Sequence, residues 1–275
     1  MTQRFTVLGG TGFVGRHLAK NLAERSCSVW VPKRGEPEIF RRQLGIVYYC
    51  IGLTSDFRKR PYDTIDAHVC LLRQLLERAD FDALVYLSST RVYAGSDRAE
   101  ETQALAVRPD LPDYLYNLSK LMGESLTLAA GRNGRVARLS NVLGPDMGRD
   151  NFVGAVLNEA ENTGKVRFRT AYESSKDYIW IDDVVAALIA LSQPDVALIT
   201  NVAAGSNTTH TQLSDWLRTR GIDTMVDADA PMTIFPTIEI TRLYRLTGRE
   251  PSPALQRLAE WYDQTHATTT TNHCN

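Results

Sequence analysis

Length, composition and charge already exclude several classes of protein. The chain has 275 residues, 43% of them apolar, which is enough to bury a full core in one α/β unit or two closely joined lobes. Its formal net charge of −1 argues against a nucleic-acid or anionic-membrane partner, and no apolar run approaches the roughly 20 residues that a membrane helix needs.

The four cysteines and five histidines are scattered along the chain. No CxxC pair occurs, and no histidine stands at ligand spacing from a cysteine or a carboxylate, so we expect no metal site. The first residues lack the charged, long apolar and cleavage-site segments that mark a signal peptide. We therefore expect a cytoplasmic protein whose cysteines are reduced thiols: Cys27, Cys50, Cys70 and Cys274.

Short β-branched runs alternate with longer helical stretches, a pattern typical of βαβ units around a parallel sheet and hence of the α/β class. Strands are predicted over residues 4–8, 28–31, 46–51, 83–88, 135–139, 178–181 and 198–203. Helices are predicted over residues 12–25, 65–79, 114–130 and 182–191. From His210 onward we expect helix and loop, and we predict that the polar segment 268–275 is a disordered tail.

A glycine-rich turn follows the first predicted strand and opens the first predicted helix. It reads GGTGFVG, and three of its glycines have the spacing of the dinucleotide fingerprint. Glycines let the backbone approach a pyrophosphate, while the helix N-terminus offers N–H groups to the phosphates. The alternative is a glycine-rich turn without a ligand. The predicted cofactor-binding residues of this turn are Gly9, Gly10, Thr11, Gly12, Phe13, Val14 and Gly15.

The end of the second predicted strand is expected to select the cofactor. An acidic residue there would bind the 2′-hydroxyl of NAD, whereas basic residues suit the 2′-phosphate of NADP. The strand ends in VWVPKRGE, which has no acid at its tip but carries Lys33 and Arg34. We therefore predict NADP, with NAD as the second choice. The alternative role of the two residues is a solvated basic turn.

Tyr116 and Lys120 lie four residues apart in a predicted helix, so their side chains share one face. An ammonium beside a phenol favours the phenolate, and we expect it to lower the pKa of Tyr116 from about 10 toward neutrality. Tyr116 would then exchange a proton with a carbonyl or an alcohol. The preceding buried strand ends in hydroxyls, of which Ser89 or Thr90 would hydrogen-bond the reacting oxygen.

Together these features resemble the extended short-chain dehydrogenase/reductase family, which contains nucleotide-sugar epimerases, dehydratases and reductases. The resemblance covers roughly residues 4–263, through the motifs GGTGFVG, YLSSTRVYAG, YNLSKLMGE, RLSNVLGP and KDYIWIDDVVAAL. It implies a Rossmann-type doubly wound parallel sheet with a small discontinuous C-terminal substrate lobe. It also implies that Ser89 bonds the substrate oxygen, that Tyr116 is the catalytic acid/base, and that Lys120 supports Tyr116; Lys120 would also hold the nicotinamide ribose.

Four further residues complete the predicted site. Gly52, directly after the strand predicted over 46–51, is assigned to cofactor binding. Thr90, Asn141 and Lys176 are assigned to substrate binding, Asn141 because the resemblance places the motif RLSNVLGP near the substrate. Lys176 stands where the family usually has an arginine. An arginine can bind a phosphate through two N–H groups, whereas a lysine offers only a point charge.

Three other departures from the family pattern also carry predictions. The segment between the second and third predicted strands is too short for the strand that the family fits there, so we predict that this edge strand is missing or vestigial. Thr90-Arg91 replaces the Asp-Glu pair of the family's dehydratases, which argues against a 4,6-dehydratase. His68 replaces an asparagine of many members and is predicted to be a core or helix-face histidine.

The predicted dinucleotide-binding domain comprises residues 1–141 and 177–204, because segment 178–204 is expected to return to the sheet. Residues 142–176 and 205–267 form the predicted substrate lobe. The predicted function is an NADP-dependent reductase or epimerase of a nucleotide-activated or modified sugar. The alternatives are a carbonyl reductase of a non-sugar metabolite and a non-catalytic NADP-binding sensor. The resemblance further implies a homodimer joined by two helices from each copy.

Overall fold

A computed structural model describes residues 3–53, 56–149 and 151–271 of the chain. Its strands are β1 (Arg4–Leu8), β2 (Ser28–Trp30), β3 (Ile46–Tyr49), β4 (Ala83–Ser89), β5 (Gly134–Leu139), β6 (Asn141–Leu143), β7 (Lys165–Phe168), β8 (Ser175–Trp180), β9 (Ile199–Val202), β10 (Asn207–Thr209) and β11 (Asp223–Val226). Its helices are α1 (Phe13–Glu24), α2 (Pro61–Ile65), α3 (Leu71–Arg78), α4 (Tyr114–Ala129), α5 (Phe152–Thr163), α6 (Ile181–Leu191), α7 (His210–Arg218), α8 (Thr241–Thr247) and α9 (Ala254–Thr271).

Six parallel strands form the central sheet in the order β2-β1-β3-β4-β5-β9, which confirms the predicted α/β class. Successive side chains of a strand point to opposite faces, and both faces here are buried. In β3, Tyr48 joins one hydrophobic cluster, with leucines of α1 and α6, while Tyr49 joins another with leucines of α3. The carboxyl ends of the strands are thereby held at one edge of the sheet, where the predicted site residues lie.

The predicted loss of an edge strand is confirmed. Between β2 and β3 the chain forms a short 3₁₀ turn, Pro37–Phe40, and Gln43 makes one isolated bridge to Asp80. The described residues contain no further strand there, so β2 is itself the edge of the central sheet. The adenine side of the predicted cofactor site therefore lies beside an edge that no strand covers.

The second lobe contains two small sheets, β10-β8-β6 and β11-β7. The prediction that the strand over 178–181 returns to the central sheet is wrong. This strand, β8, pairs with β6 and β10, whereas β9 occupies the position beside β5. Only one strand can hydrogen-bond that edge of β5, so β8 belongs with the substrate lobe. The exact domain boundaries stay a prediction.

Two segments differ from their predicted bounds. The helix predicted over 65–79 begins earlier, at Pro61, and α2 continues into α3 through a π-helical turn, Asp66–Cys70. The last helix extends to Thr271, so residues 268–271 are helical where a disordered tail is predicted. A helix already formed gains one hydrogen bond for each residue that it adds, which favours this extension. Residues 272–275, with Cys274, lie outside the described residues.

Candidate active site

The glycine turn lies between β1 and α1 and is closely packed. Gly9 has a φ of +78°, and a Cβ there would lie 2.9 Å from the backbone of Cys50 at the end of β3. A Cβ at Gly15 would collide with the carbonyl oxygen of Gly9. Only glycine fits these two positions without moving backbone. The turn is therefore fixed by the fold itself and leaves its outer surface open to a ligand.

The N-terminus of α1 has the properties of a phosphate site. Gly12 is its N-cap residue, and no side chain caps the helix. The first intrahelical hydrogen bond at this end runs from the N–H of Arg16 to the carbonyl of Gly12, so the N–H groups of Phe13, Val14 and Gly15 precede it. Such groups, together with the helix dipole, favour an anion. The residues present therefore fit the pyrophosphate of NAD or NADP, and Thr11 is exposed beside them.

Lys33 and Arg34 are exposed just beyond the carboxyl end of β2. This end lies against the glycine turn, because a Cβ on Gly10 would lie 2.6 Å from Cγ1 of Val31. Neither side chain forms an ion pair with any of the described residues. The two positive charges are thus available beside the predicted cofactor site.

Ser89, Tyr116 and Lys120 come together at the carboxyl end of β4 and the first half of α4. The Tyr116 side chain is 5% exposed, and its ring centroid lies 6.0 Å from Nζ of Lys120. Ser89 lies close enough to its hydroxyl to lower the pKa of Tyr116. The i,i+4 spacing in α4 and the end of β4 thus converge on one phenol. Such a cluster is suited to proton transfer at a hydroxyl or carbonyl.

The expected pKa of Tyr116 is wrong in direction. Burial raises the pKa of Tyr116 above its ordinary value, and the side chain of Ser89 and the charge of Arg91 only partly lower it. Lys120 is not among the groups that shift this pKa, and its Nζ donates a 2.8 Å hydrogen bond to the carbonyl of Leu87. Loss of solvent around the phenol therefore outweighs the nearby positive charges.

Lys120 is itself strongly perturbed. Burial lowers the pKa of Lys120 to about 7, although the carboxylate of Glu124 and the thiol of Cys50 act in the opposite direction. Gly52 lies close by: a Cβ there would be 3.4 Å from Nζ of Lys120 and 3.1 Å from Nε2 of His68. A buried lysine that titrates near neutrality is a common feature of catalytic sites.

His68 is a member of the site that the sequence did not identify as such. Its Nε2 accepts a 3.3 Å hydrogen bond from the backbone N–H of Leu53, so Nδ1 carries the proton and donates to Oγ of Ser119 at 2.8 Å. Ser119 in turn donates to the carbonyl of Tyr116. The imidazole also packs edge-on against the Tyr116 ring at 5.3 Å. Spacing alone gives no sign of these contacts, because they join three separate segments.

The predicted substrate-binding residues are partly brought together. Asn141 is exposed at the start of β6, and its amide donates a 2.8 Å hydrogen bond to the carbonyl of Asp177, next to Lys176 in β8. Burial and the charge of Arg91 lower the pKa of Lys176. Thr90 is buried in the 3₁₀ turn that follows β4. Asn141 and Lys176 therefore lie on neighbouring strands of the small sheet, whereas Thr90 has little exposed surface.

A cationic cluster next to Tyr116 was also missed by the sequence analysis. Arg58 binds Asp113 through two hydrogen bonds, 2.5 and 2.7 Å long, while Arg91 reaches the same carboxylate at 3.4 Å. The guanidinium carbons of both arginines lie over the ring of Phe57, at 4.6 and 4.9 Å. Phe57 in turn packs on Tyr116, with ring centroids 5.3 Å apart.

The described part of the chain contains neither a metal-binding cluster nor a membrane-spanning helix. No group of three or more histidine, cysteine, aspartate or glutamate side chains there is arranged to hold a metal ion. None of the described helices is both long and apolar enough to cross a membrane.

Comparison with known proteins gives a consistent result. The profile of the NAD dependent epimerase/dehydratase family matches residues 5–203. GDP-6-deoxy-D-mannose reductase of Pseudomonas aeruginosa is 29% identical over 238 residues, which are 74% of this chain and 76% of the relative. dTDP-4-dehydro-6-deoxyglucose reductase of Escherichia coli is 30% identical over 156 residues, which are 54% of this chain and 48% of the relative. This chain thus matches about half the length of the second relative.

The fold is also found among solved structures. MoeE5 in complex with UDP-glucuronic acid and NAD aligns with a TM-score of 0.80, covering 95% of this chain and 99% of MoeE5. The two sequences are 19% identical, so the likeness shows the fold alone. It agrees with the parallel sheet and the small second lobe described above.

Proposed function

Since the chain belongs to the NAD dependent epimerase/dehydratase family, we propose that it is an NADP-dependent reductase or epimerase of a nucleotide-activated sugar. The two curated relatives, named as reductases of a GDP-sugar and a dTDP-sugar, support a sugar nucleotide as the substrate class. The Thr90-Arg91 pair after Ser89 supports a reaction other than 4,6-dehydration. The reductase and epimerase outcomes differ in whether the site retains the oxidised sugar until it is reduced again.

The cluster around Tyr116 carries the proposal. NADP(H) supplies hydride transfer when it is bound, held by the glycine turn at 9–15, by Gly52 and by Lys120. Tyr116 exchanges the proton of the substrate hydroxyl, and Ser89 holds the same oxygen through a hydrogen bond. Lys120, with a pKa of about 7, is able to pass protons to and from the site near neutrality. Asn141 and Lys176 contact the rest of the substrate.

Replacement of one hydroxyl tests the assignment. Tyr116→Phe keeps the ring contacts with Phe57 and His68 but removes the proton that is exchanged. We expect turnover to fall by about 10²–10⁴-fold, while NADPH binding is unchanged. Absorbance of the reduced nicotinamide would follow turnover on a panel of UDP-, GDP- and dTDP-sugars, and fluorescence titration would follow binding.

Tyr114→Phe is the matched control, since Tyr114 lies in the same helix and its hydroxyl donates a hydrogen bond to the carbonyl of Ala94, away from Ser89 and Lys120. This variant should keep most of its activity. Retained turnover in Tyr116→Phe would refute the catalytic assignment. NADPH binding by the unaltered protein without a response to any sugar nucleotide would favour a non-sugar reductase or a sensor instead.

A further inference from the structure

The cationic cluster of Arg58, Arg91 and Asp113 has an unequal distribution of charge. Asp113 is engaged by Arg58 through both of its oxygens, at 2.5 and 2.7 Å, in the fork geometry that is strongest for arginine and carboxylate. Arg91 has only one contact with that carboxylate, at 3.4 Å. The negative charge of Asp113 is therefore largely neutralised by Arg58, and Arg91 keeps a positive charge that is poorly compensated.

No other acidic group relieves this charge. In the described parts of the chain, Asp113 is the single carboxylate within ion-pair distance of Arg91, and Lys176 has none. Arg91 and Lys176 are close enough for the charge of one to lower the pKa of the other. Arg91, with a single 3.4 Å contact to a carboxylate, and Lys176, with no such contact among the described residues, are partly buried cations that favour the binding of an anion.

Arg91 is also close to the reacting group. Its guanidinium carbon lies 5.6 Å from the ring centroid of Tyr116, and its backbone N–H donates a 3.2 Å hydrogen bond to Oγ of Ser89. About a third of the side chain, 35%, is exposed, so an incoming ligand can reach it. The anion that it meets must lie close to the hydroxyl on which Tyr116 acts.

We propose that Arg91 binds a carboxylate carried by the sugar next to its reacting carbon, so that the preferred substrate is a nucleotide-activated uronic acid. This inference rests on the proposed function above. In a uronic acid the carboxylate replaces the C6 hydroxymethyl group on C5, one carbon away from a hydroxyl at C4. A planar carboxylate matches the two parallel N–H donors of a guanidinium. The diphosphate, attached at C1, is left to Lys176 and its neighbours.

Arg58 acts through Asp113 in this arrangement and is a positioning residue. As long as Arg58 holds both oxygens of Asp113, that carboxylate does not compete with the substrate for Arg91. Removal of Arg58 would leave Asp113 free to pair with Arg91 and to neutralise it. The cluster therefore predicts that removal of Arg58 weakens carboxylate binding by Arg91, although the two arginines are linked only through Asp113.

Two pairs of sugar nucleotides test this proposal, because each pair differs only in the carboxylate: UDP-glucose with UDP-glucuronic acid, and GDP-mannose with GDP-mannuronic acid. Calorimetric titration of the NADP-bound protein measures affinity independently of turnover. We expect one acidic member to bind about tenfold or more tightly than its neutral partner, the effect of a hydrogen-bonded charge pair. Arg91→Gln should abolish that preference by lowering the affinity for the acidic member much more than the affinity for the neutral member, and Arg91→Lys should keep part of the preference.

Variants of Arg58 test whether Arg58 acts by holding Asp113 away from Arg91 or only by adding positive charge to the site. Arg58→Gln should also reduce the preference for the acidic sugar, and the double variant Arg58→Gln with Asp113→Asn should restore it. NADP binding serves as the control for folding in each variant. Loss of preference in Arg58→Gln without recovery in the double variant would contradict the role given to Arg58.

Three results would overturn the inference. The first is that the neutral sugar nucleotides bind as tightly as the acidic ones or more tightly. The second is that the preference for the acidic sugar persists in Arg91→Gln. The third is that Arg91→Gln loses the same amount of affinity for both members of a pair. The last result would mean that Arg91 contacts the diphosphate or supports Tyr116. If the protein binds NADP but none of the four sugar nucleotides, the proposed function fails as well, which is distinguishable from binding without discrimination.

Discussion

His68 connects three segments of the chain that meet around the Tyr116 side chain. One ring nitrogen bonds the backbone after β3 and the other bonds Ser119 in α4, while the ring edge packs against Tyr116. The side chain is fully buried, and burial together with the charge of Lys120 lowers the pKa of His68 to about 2. His68 therefore stays neutral in the folded protein at any pH near neutrality.

This burial makes stability depend on pH. In the unfolded chain His68 takes up a proton below about pH 6.5, whereas the folded chain does not until about pH 2. The unfolded state binds more protons in that window, so the free energy of unfolding falls as pH falls, by about 1.4 kcal/mol per pH unit for one group. We expect urea denaturation between pH 7 and pH 5 to show this loss.

The variant His68→Leu measures how much His68 contributes to the pH dependence of stability. It should cost about 1–3 kcal/mol at pH 7, since it leaves the N–H of Leu53 without its partner. It should also make the slope between pH 7 and pH 5 clearly shallower, and the slope that remains includes the contribution of His210, whose pKa burial also lowers. His17→Leu is the matched control, because that ring is only partly buried and bonds a single carbonyl, that of Pro145. An unchanged slope in His68→Leu would show that other groups carry the pH dependence.

The geometry of the candidate site was predictable to different degrees. The sequence predicts that Tyr116 and Lys120 lie together, because their i,i+4 spacing is a local property of one helix. The pKa of Tyr116 and the contacts of His68 were not predictable, since both depend on which groups from distant segments surround a side chain after folding. Arg91 appears in the sequence as a departure from a dehydratase pattern, but its shared contact with Asp113 appears only in the structure.

At the scale of elements, β2 lies where the adenine end of the proposed cofactor would be held. It is the edge strand of the central sheet, and Lys33 and Arg34 follow its carboxyl end without an acidic partner among the described residues. A 2′-phosphate would meet two positive charges there, whereas a 2′-hydroxyl would gain little from them. The double variant Lys33→Ala with Arg34→Ala should therefore weaken NADPH binding tenfold or more, about 1.4 kcal/mol, and leave NADH binding nearly unchanged.

Fluorescence titration with both dinucleotides measures this difference. Lys20→Ala with Arg25→Ala removes the same net charge from exposed positions in and just after α1 and is the matched control. This control should lower the affinities for NADPH and NADH only by the long-range effect of two lost positive charges. Added salt should suppress that effect. Equal losses for NADPH and NADH in the Lys33 and Arg34 variant would show that these residues are a solvated turn.

The elements themselves were predictable where a short stretch determines them. The glycine turn followed from its motif, and the missing edge strand followed from the short segment between two strands compared with the family pattern. The position of β8 did not follow, because its apolar run YIWI suits any buried strand, and the choice of partner depends on β9 reaching β5. Strand order is a property of the whole chain, and one sequence gives no direct signal of it.

At the scale of the whole molecule, Asp177 joins the two lobes. Its side chain is 1% exposed in β8, and its two oxygens accept hydrogen bonds from the N–H groups of Ala204 and Gly205, just after β9. Burial raises the pKa of Asp177 although these bonds act against it. The small sheet with Lys176 is thereby fixed to the central sheet. Dimerisation through α3 and α4, which the family resemblance implies, stays a prediction.

Loss of this connection should separate the two binding functions. Asp177→Ala leaves two partly buried N–H groups without partners and empties a buried position, and it should lower the free energy of unfolding by about 2–5 kcal/mol. NADPH binding depends on the central sheet and should persist, whereas affinity for a sugar nucleotide should fall, because Lys176 is no longer held in place. Urea denaturation measures the free energy of unfolding, and titration measures the affinities for NADPH and for the sugar nucleotide.

Asp182→Ala is the matched control. It removes an exposed carboxylate whose pair with Arg257 is 3.4 Å long, and it should lower the free energy of unfolding by less than about 1 kcal/mol. Equal effects of the two variants, or a parallel loss of both ligands in Asp177→Ala, would mean that the lobes are held together elsewhere.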